Sequence, residues 1–265
     1  MLQPSETAQL RFAMQNNQLR LFCFPYAGGS EYVFRSWQRA LPEFVEVRAV
    51  RLPGRGARMQ ETPCTELPCL VDRLAHEMGR DFAGPFAFFG HSMGALISFE
   101  LARAVREQYG VQPSVLFVSG RAAPHLARRQ RPIHNLPLEA FVAALRDLEG
   151  TPAEVLDNTE LMQLTAPFLR ADLQMVETYV CAPDMPLSCP IVGFSGLEDR
   201  RTTSADMMEW KQHTSSTFFL HVLPGGHFFL KTAEKALLEK LSHELSRITG
   251  TTAPAARWSS RYAVG

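Results

Sequence analysis

Short apolar runs alternate with helical patterns along most of this chain, and no other feature constrains the fold as strongly. The apolar runs occupy residues 19–24, 45–50, 85–89, 114–119, 190–195 and 217–223. Amphipathic helical periodicity follows several of them, over residues 66–82, 93–108 and 231–248. Strands separated by helices indicate a mostly parallel sheet that is flanked by helices on both faces. The pattern therefore predicts a protein of the α/β class.

One long segment, residues 122–186, breaks this rhythm. It contains no convincing strand, only polar loop and helical pattern over residues 138–148 and 160–179. The segment falls between two predicted core strands, and insertions at such positions often form lids over active sites. We therefore expect a core of residues 1–121 and 187–250, a helical lid insertion at 122–186 and a flexible tail at 251–265.

Composition excludes several classes of protein. With 265 residues, of which 46 % are hydrophobic, the chain has the composition of an ordinary globular protein with a large core. Lys plus Arg and Asp plus Glu both total 27, so the net charge provides no general attraction to nucleic acid or to an anionic membrane. The first residues lack a basic start followed by an apolar stretch, and no apolar run is long enough to span a bilayer. We therefore expect neither a signal peptide nor a membrane segment.

Cysteine usage favours a reducing compartment. The five cysteines are odd in number and not tightly spaced, which argues against a disulfide framework. They form no C-x-x-C motif and no cluster with histidine, which argues against a zinc site. We therefore expect a cytoplasmic protein with reduced thiols and no bound metal. A monomer is expected, because long exposed apolar patterns are nearly absent.

The segment GHSMG at residues 90–94 matches the pattern G-x-S-x-G. A predicted strand runs into it and a predicted helix leaves it. Its two glycines leave room for a sharp turn that exposes the Ser92 hydroxyl, and N–H groups at the start of the helix lie beside that hydroxyl. The pattern in this setting indicates the α/β-hydrolase fold, with Ser92 as the nucleophile.

Four histidines follow the predicted insertion, and their positions relative to the strands separate them. His221 lies within a predicted strand, His243 lies in the last predicted helix, and His213 precedes a strand, at the wrong end of a parallel sheet. Only His227 follows the carboxyl end of a strand, where the sites of open α/β sheets collect. Because a serine hydroxyl needs an imidazole to accept its proton, His227 is predicted to be the general base.

The acid that orients this imidazole has two expected positions, each after a core strand. No carboxylate occurs between Ser119 and Glu139, which excludes the position after residues 114–119. The position after residues 190–195 provides Glu198 and Asp199. We predict Asp199 as the acid, with Glu198 as the alternative.

Attack on a carbonyl creates an oxyanion that needs N–H donors already in place. One predicted donor is the backbone N–H of Met93, the residue after the nucleophile. The other is expected in the glycine-rich segment FPYAGG at residues 24–29, which follows the first strand. We assign Ala27, with Tyr26 as the alternative.

Several segments together resemble the type II thioesterase family, in order, with similar spacing and over nearly the whole chain. They are FPYAGG (24–29), RLPGR (51–55), FFGHSMG (88–94), FLRAD (168–172), GLED (196–199) and LPGGHFF (223–229). The family consists of discrete thioesterases that accompany nonribosomal peptide and polyketide synthases, with a branch that releases medium-chain fatty acids from animal fatty acid synthase. The resemblance implies Ser92, Asp199 and His227 as the triad and Ala27 and Met93 as the oxyanion donors.

The resemblance also implies a substrate and a partner. The implied reaction is hydrolysis of acyl thioesters on the phosphopantetheine arm of acyl or peptidyl carrier proteins, which regenerates stalled synthases of antibiotic or siderophore pathways. No separate cofactor is implied, because the substrate itself carries the phosphopantetheine. The alternatives are medium-chain release from a fatty acid synthase, a generic carboxylesterase and a non-catalytic protein that docks carriers. The triad alone does not separate ester from thioester substrates.

Two further sets of residues are candidate contacts. An aromatic set is predicted to line the substrate site, with lid core as the alternative for its members in the insertion: Tyr26, Phe141, Phe168 and Phe228. A basic set at the start of the insertion is a candidate contact for an acidic carrier or for the phosphate of its arm, with a solvated loop as the alternative: Arg128, Arg129 and Arg131. Arg55 carries the same two interpretations, and Asp172 is expected to hold a lid helix in place.

Overall fold

A computed structural model describes residues 18–250 of the chain, in which six strands form one sheet. The strands are β1 (Leu19–Phe24), β2 (Val45–Ala49), β3 (Phe86–His91), β4 (Leu116–Ser119), β5 (Ile191–Gly196) and β6 (Phe218–Leu223). Their order across the sheet is β2-β1-β3-β4-β5-β6, and each neighbouring pair is parallel. The expected α/β class is confirmed, and the described sheet is parallel throughout.

The helices alternate with the strands. They are α1 (Trp37–Ala40), α2 (Leu67–Met78), α3 (Met93–Tyr109), α4 (Leu138–Leu148), α5 (Ala153–Leu156), α6 (Thr159–Thr178), α7 (Ser204–Met208), α8 (Phe229–Thr232) and α9 (Glu234–Thr249). Short 3-10 turns occupy Glu31–Phe34, Gly56–Arg58, Gly79–Phe82 and Glu209–His213. The helix predicted over residues 231–248 is split between α8 and α9, because Ala233 has φ −121° and ψ 30°, outside the helical range.

Apolar side chains cover both faces of the sheet. Successive residues of a strand point to opposite faces, and in β3 Phe88 belongs to the cluster under α2 and α3 whereas Phe89 belongs to the cluster under α9. Every residue of β3 is buried. Coverage on both faces explains why this strand is a continuous apolar run rather than an alternating one.

Helices α4, α5 and α6 lie in the segment between β4 and β5, where the sequence predicts an insertion. They share a small apolar cluster of their own, with Phe141, Leu145 and Leu169 among its buried members. Further along α6, Met175 joins the main cluster above the sheet. One helix therefore packs against both the insertion and the core. The tail expected at residues 251–265 lies outside the described residues.

Candidate active site

The turn between β3 and α3 holds Ser92 in a strained conformation. Its φ of 53° and ψ of −110° lie in a region that side chains with a Cβ rarely occupy. A Cβ on Gly90 would lie 2.1 Å from the carbonyl oxygen of Gly94, and one on Gly94 would lie 2.1 Å from that of Phe24. Only glycine fits at either position, so the turn can be tight enough to present the Ser92 hydroxyl.

Three side chains form a continuous hydrogen-bonded chain. The Ser92 hydroxyl oxygen lies 3.1 Å from Nε2 of His227, and Nδ1 of His227 lies 2.8 Å from Oδ2 of Asp199. The other oxygen of Asp199 accepts hydrogen bonds from the backbone N–H groups of Arg201, at 2.8 Å, and Thr202, at 3.2 Å. The arrangement places a base beside a nucleophile and a carboxylate behind the base, as nucleophilic acyl transfer requires.

The Asp199 carboxylate is held in its ionised form. Burial by itself raises the pKa of this group, but the hydrogen bond and charge of His227 and the N–H groups of Arg201 and Thr202 outweigh burial and lower the pKa overall. An ionised carboxylate stabilises the imidazolium that forms when His227 accepts a proton. The alternative acid, Glu198, is exposed and accepts a hydrogen bond from the N–H of Gly225 instead.

The two predicted oxyanion donors have no hydrogen-bond partner among residues 18–250. They belong to Met93, the first residue of α3, and to Ala27. After Ala27 the donors are engaged, because the N–H of Gly28 donates to Asp172 at 2.8 Å and that of Gly29 donates to the carbonyl of Tyr26 at 2.8 Å. The N–H of Tyr26, the alternative donor, also has no partner within residues 18–250, so both alternatives stay open. Free donors at these two positions suit the stabilisation of an oxyanion.

Asp172 joins the insertion to the loop that carries Ala27. Its Oδ2 accepts the hydrogen bond from Gly28, and its Oδ1 lies 2.6 Å from Nη2 of Arg55. The side chains of Arg55 and Asp172 are only 5 % and 1 % exposed. Both interpretations of Arg55, as a carrier contact and as part of a solvated loop, are therefore wrong, because its guanidinium is buried against Asp172. No local signal in the sequence pairs these two residues.

Comparison with known proteins identifies the family. A family model described as the thioesterase domain matches residues 19–245. The chain belongs to the thioesterase family. This thioesterase is 39 % identical over 247 residues to thioesterase PikA5 of Streptomyces venezuelae, covering 91 % of this chain and 85 % of that protein. It is 43 % identical over 241 residues to linear gramicidin dehydrogenase LgrE of Brevibacillus parabrevis, covering 90 % of this chain and 89 % of that protein.

A solved structure agrees with these sequence matches. RedJ, a thioesterase from the prodiginine biosynthetic pathway of Streptomyces coelicolor, has a TM-score of 0.81 and 38 % identity with this thioesterase, covering 87 % of this chain and 92 % of that chain. The predicted α/β-hydrolase fold and the resemblance to type II thioesterases are confirmed. The name of LgrE describes an oxidation, whereas the family model, PikA5 and RedJ are described as thioesterases, and this thioesterase is a serine hydrolase.

The aromatic candidates of the thioesterase fall into two groups. The ring of Phe228 lies 5.3 Å from that of His227 and 5.0 Å from that of Tyr26, measured between ring centroids, so Phe228 packs against His227 and Tyr26 packs against Phe228. Phe168, on α6, packs under the guanidinium of Arg55 at 5.2 Å. Phe141 differs from the expectation. It has no exposed surface, because the apolar cluster of the insertion encloses it. This burial favours the alternative interpretation, in which Phe141 belongs to the core of the insertion and does not line the substrate site.

Sequence reasoning did not single out His91, the first variable residue of G-x-S-x-G. Its ring is fully buried and lies 5.3 Å from that of His227, and its Nδ1 is 2.9 Å from the Ser119 hydroxyl oxygen. Its Nε2 has no hydrogen-bond partner in the described part of the chain. Burial above all, and then the charge of His227, lower the pKa of His91 well below its usual value. The ring is therefore neutral at neutral pH and adds no positive charge beside His227.

The basic cluster at the start of the insertion is largely engaged in ion pairs. Arg128 lies 3.0 Å from Glu177 of α6, and Arg129 lies 2.9 Å from Asp206 of α7. Arg131 is exposed, and its side chain makes no ion pair within residues 18–250. Only one of the three guanidinium groups is therefore uncommitted.

The described residues contain neither a cluster suited to a metal ion nor a helix suited to span a membrane. Within residues 18–250, no group of three or more His, Cys, Asp or Glu side chains is arranged to hold a metal ion. In the same range, no helix combines the length and the apolar character needed to cross a membrane.

Proposed function

We propose that this thioesterase hydrolyses acyl thioesters on the phosphopantetheine arm of acyl or peptidyl carrier proteins, with Ser92, His227 and Asp199 as its triad. The observation that carries the proposal is the hydrogen-bonded chain of these three side chains beside the free N–H groups of Ala27 and Met93. The relatives support the choice of substrate, because PikA5 is named a thioesterase and RedJ belongs to a biosynthetic pathway.

Acylation follows from this geometry. The Ser92 oxygen attacks the thioester carbonyl carbon while His227 accepts its proton at Nε2, and Asp199 stabilises the imidazolium. The carbonyl oxygen becomes an oxyanion that receives hydrogen bonds from the N–H groups of Ala27 and Met93. When the tetrahedral intermediate collapses, the C–S bond breaks and the carrier thiol leaves with the proton from His227. A thiol, with a reference pKa of about 8.5, is a better leaving group than an amine.

Deacylation uses the same groups with water in place of serine. His227 removes a proton from water, the resulting hydroxide attacks the acyl-Ser92 ester, and the oxyanion again lies against Ala27 and Met93. The C–O bond to Ser92 then breaks and His227 returns the proton to the serine oxygen. A free acid and the original enzyme result, while the carrier keeps its free thiol, so no cofactor is consumed.

The insertion at residues 122–186 acts in this proposal as a lid between core and solvent. Tyr26 and Phe228 border the reacting carbonyl, and Phe168 lies further along the acyl path. Arg131 is the member of the basic cluster that remains free for an acidic carrier protein. All five cysteines are free thiols, which suits a protein that works in the reducing cytoplasm.

The test compares an acylated carrier protein with a p-nitrophenyl ester of the same acyl group. For the wild type we expect the higher kcat/KM on the carrier thioester, and no turnover of either substrate by Ser92→Ala. The control is Ser246→Ala, which removes a hydroxyl that bonds to its own helix, at the carbonyl of Ser242. Preference for the plain ester would contradict the choice of substrate, and turnover by Ser92→Ala would contradict the nucleophile.

A further inference from the structure

Arg121 lies at the carboxyl edge of the sheet, next to the nucleophile. It is the second residue after Ser119, whose carbonyl accepts the N–H of Ser92 at 2.8 Å. Its Cα is therefore no more than ~8 Å from that of Ser119. The indole N–H of Trp210 donates to the carbonyl of Arg121 at 2.7 Å and fixes the backbone there. The side chain thus starts from a rigid position beside the site.

The guanidinium of Arg121 makes no hydrogen bond, ion pair or ring contact within residues 18–250. The groups whose charges act on it are Arg128 and Tyr179. Carboxylates beside those two groups are already engaged. Glu177 accepts from Arg128 at 3.0 Å, and Glu100 accepts from Tyr179 at 2.5 Å. The folded chain therefore offers Arg121 no counter-ion in the described part.

This unpaired cation is also partly buried. Burial above all, and then the positive charge of Arg128, lower the pKa of Arg121 to about 10. The residue nevertheless keeps part of its surface accessible. Because burying an unpaired charge destabilises a folded protein, a bound anion is the natural complement of this arrangement.

We propose that Arg121 is an anion-recognition residue that binds a carboxylate or phosphate oxygen of the substrate. The inference rests on the proposed function, because the anion must belong to the molecule whose acyl group reaches Ser92. A planar guanidinium matches the paired oxygens of either group. Two parts of an acyl-phosphopantetheine carry such oxygens, namely a terminal carboxylate on the acyl chain and the phosphate of the arm. Arg121 therefore sets which substrates are preferred, while the triad performs the chemistry.

Four substrates separate the two sources of negative charge. They are the pentanoyl and glutaryl thioesters of pantetheine and the same two thioesters of 4′-phosphopantetheine. The variants are Arg121→Met and Arg121→Lys. Methionine removes the positive charge but keeps a side chain of similar length, whereas lysine keeps a positive charge but lacks the planar guanidinium. The control is Arg39→Met, an exposed arginine of α1.

We expect Arg121→Met to lower kcat/KM by about 10- to 100-fold for the substrates that carry the recognised anion, mainly through KM. Pentanoyl-pantetheine, which has no charge, should change less than about twofold, and Arg121→Lys should recover part of the loss. If kcat/KM falls for the two glutaryl substrates only, the acyl carboxylate is the group that Arg121 binds. If kcat/KM falls for the two phosphopantetheine substrates only, the phosphate of the arm is the group that Arg121 binds. A similar loss on all four substrates, or no loss on any, overturns the inference.

A second readout separates this inference from the proposed function. In a Ser92→Ala background, calorimetric Kd values for the four thioesters report binding without turnover. If the wild type hydrolyses none of them, the proposed function fails. If Kd for the anionic thioesters still rises about 10-fold on Arg121→Met, the binding of an anion by Arg121 is supported even though the proposed function is not. Equal Kd values with and without the Arg121 guanidinium would overturn it.

Discussion

The carboxylate of Asp172 in helix α6 is paired with the guanidinium of Arg55, and the two residues are separated by 117 positions in the chain. The same carboxylate accepts the N–H of Gly28, one residue after Ala27. Three distant segments therefore meet at one buried carboxylate. A movement of α6 away from the core would break the bond to Gly28, so the position of α6 and the geometry of the loop that carries Ala27 are linked.

We expect Asp172→Asn to destabilise the protein and to lower kcat. Removing one partner of a buried pair leaves Arg55 as an uncompensated charge, which costs about 3–5 kcal/mol of unfolding free energy. Urea unfolding measures that loss, and kcat on a thioester reports the loosened loop. The matched control is Asp157→Asn, whose pair with Arg146 is exposed and should change stability by less than about 1 kcal/mol. Equal stability of the two variants would contradict the role of the pair.

The two candidate acids can be separated by a pair of isosteric substitutions. Asp199→Asn keeps the shape but favours the wrong tautomer of His227, so kcat should fall by about 10⁴-fold while the melting temperature changes little. Glu198→Gln should keep kcat within a few-fold, because Glu198 bonds to Gly225 and not to the imidazole. A larger loss for Glu198→Gln than for Asp199→Asn would reverse the assignment.

Gly94 is expected to tolerate no side chain. The Cβ of Gly94→Ala would lie 2.1 Å from the carbonyl oxygen of Phe24, which must shift and will distort both the nucleophile turn and the end of β1. We expect a large loss of activity together with a lower melting temperature. Gly110→Ala is the matched control, because its Cβ meets nothing within 4 Å and only its φ of 68° adds strain, of about 1 kcal/mol. Wild-type kcat in Gly94→Ala would show that the turn is not sterically limited.

Acidification should destabilise the protein partly through His213. Burial, followed by the charge of neighbouring His125, lowers the pKa of His213 to about 4, against about 6.5 in an unfolded chain. Between these values the unfolded chain binds a proton that the folded chain does not. The unfolding free energy is therefore unaffected by this group above pH ~6.5 and falls as the pH drops toward 4, by up to about 3 kcal/mol.

Urea unfolding at several pH values tests this origin of the acid sensitivity. His213→Gln should flatten the decline between pH ~6.5 and 4, because it removes the titrating ring. His76→Gln, at an exposed position on α2, should keep the decline of the wild type. An unchanged decline in His213→Gln would assign the acid sensitivity to other groups.

The polar contacts of the insertion show where sequence reasoning stops. The sequence predicts the cluster at residues 128–131 as a carrier contact or a solvated loop, yet Arg128 and Arg129 form ion pairs with Glu177 and Asp206. These partners come from helices that lie elsewhere in the chain. Periodicity and local propensity contain no information on which distant carboxylate a given arginine meets. Local propensity does not predict the break at Ala233 either, because alanine favours a helix, although this residue has non-helical backbone angles.

The sequence by itself determined the alternation of strands and helices, the tight turn at Ser92 and the placement of Asp199 and His227 after strands. These features depend on apolar periodicity, on glycine at close approaches and on the common edge at which parallel strands end, all of which are local or topological. Only the tertiary structure decided that Asp172 is paired with Arg55 while Arg121 has no partner in the described chain. The reason is physical: the pairing of a buried charge depends on which distant side chains packing brings within about 3 Å of it.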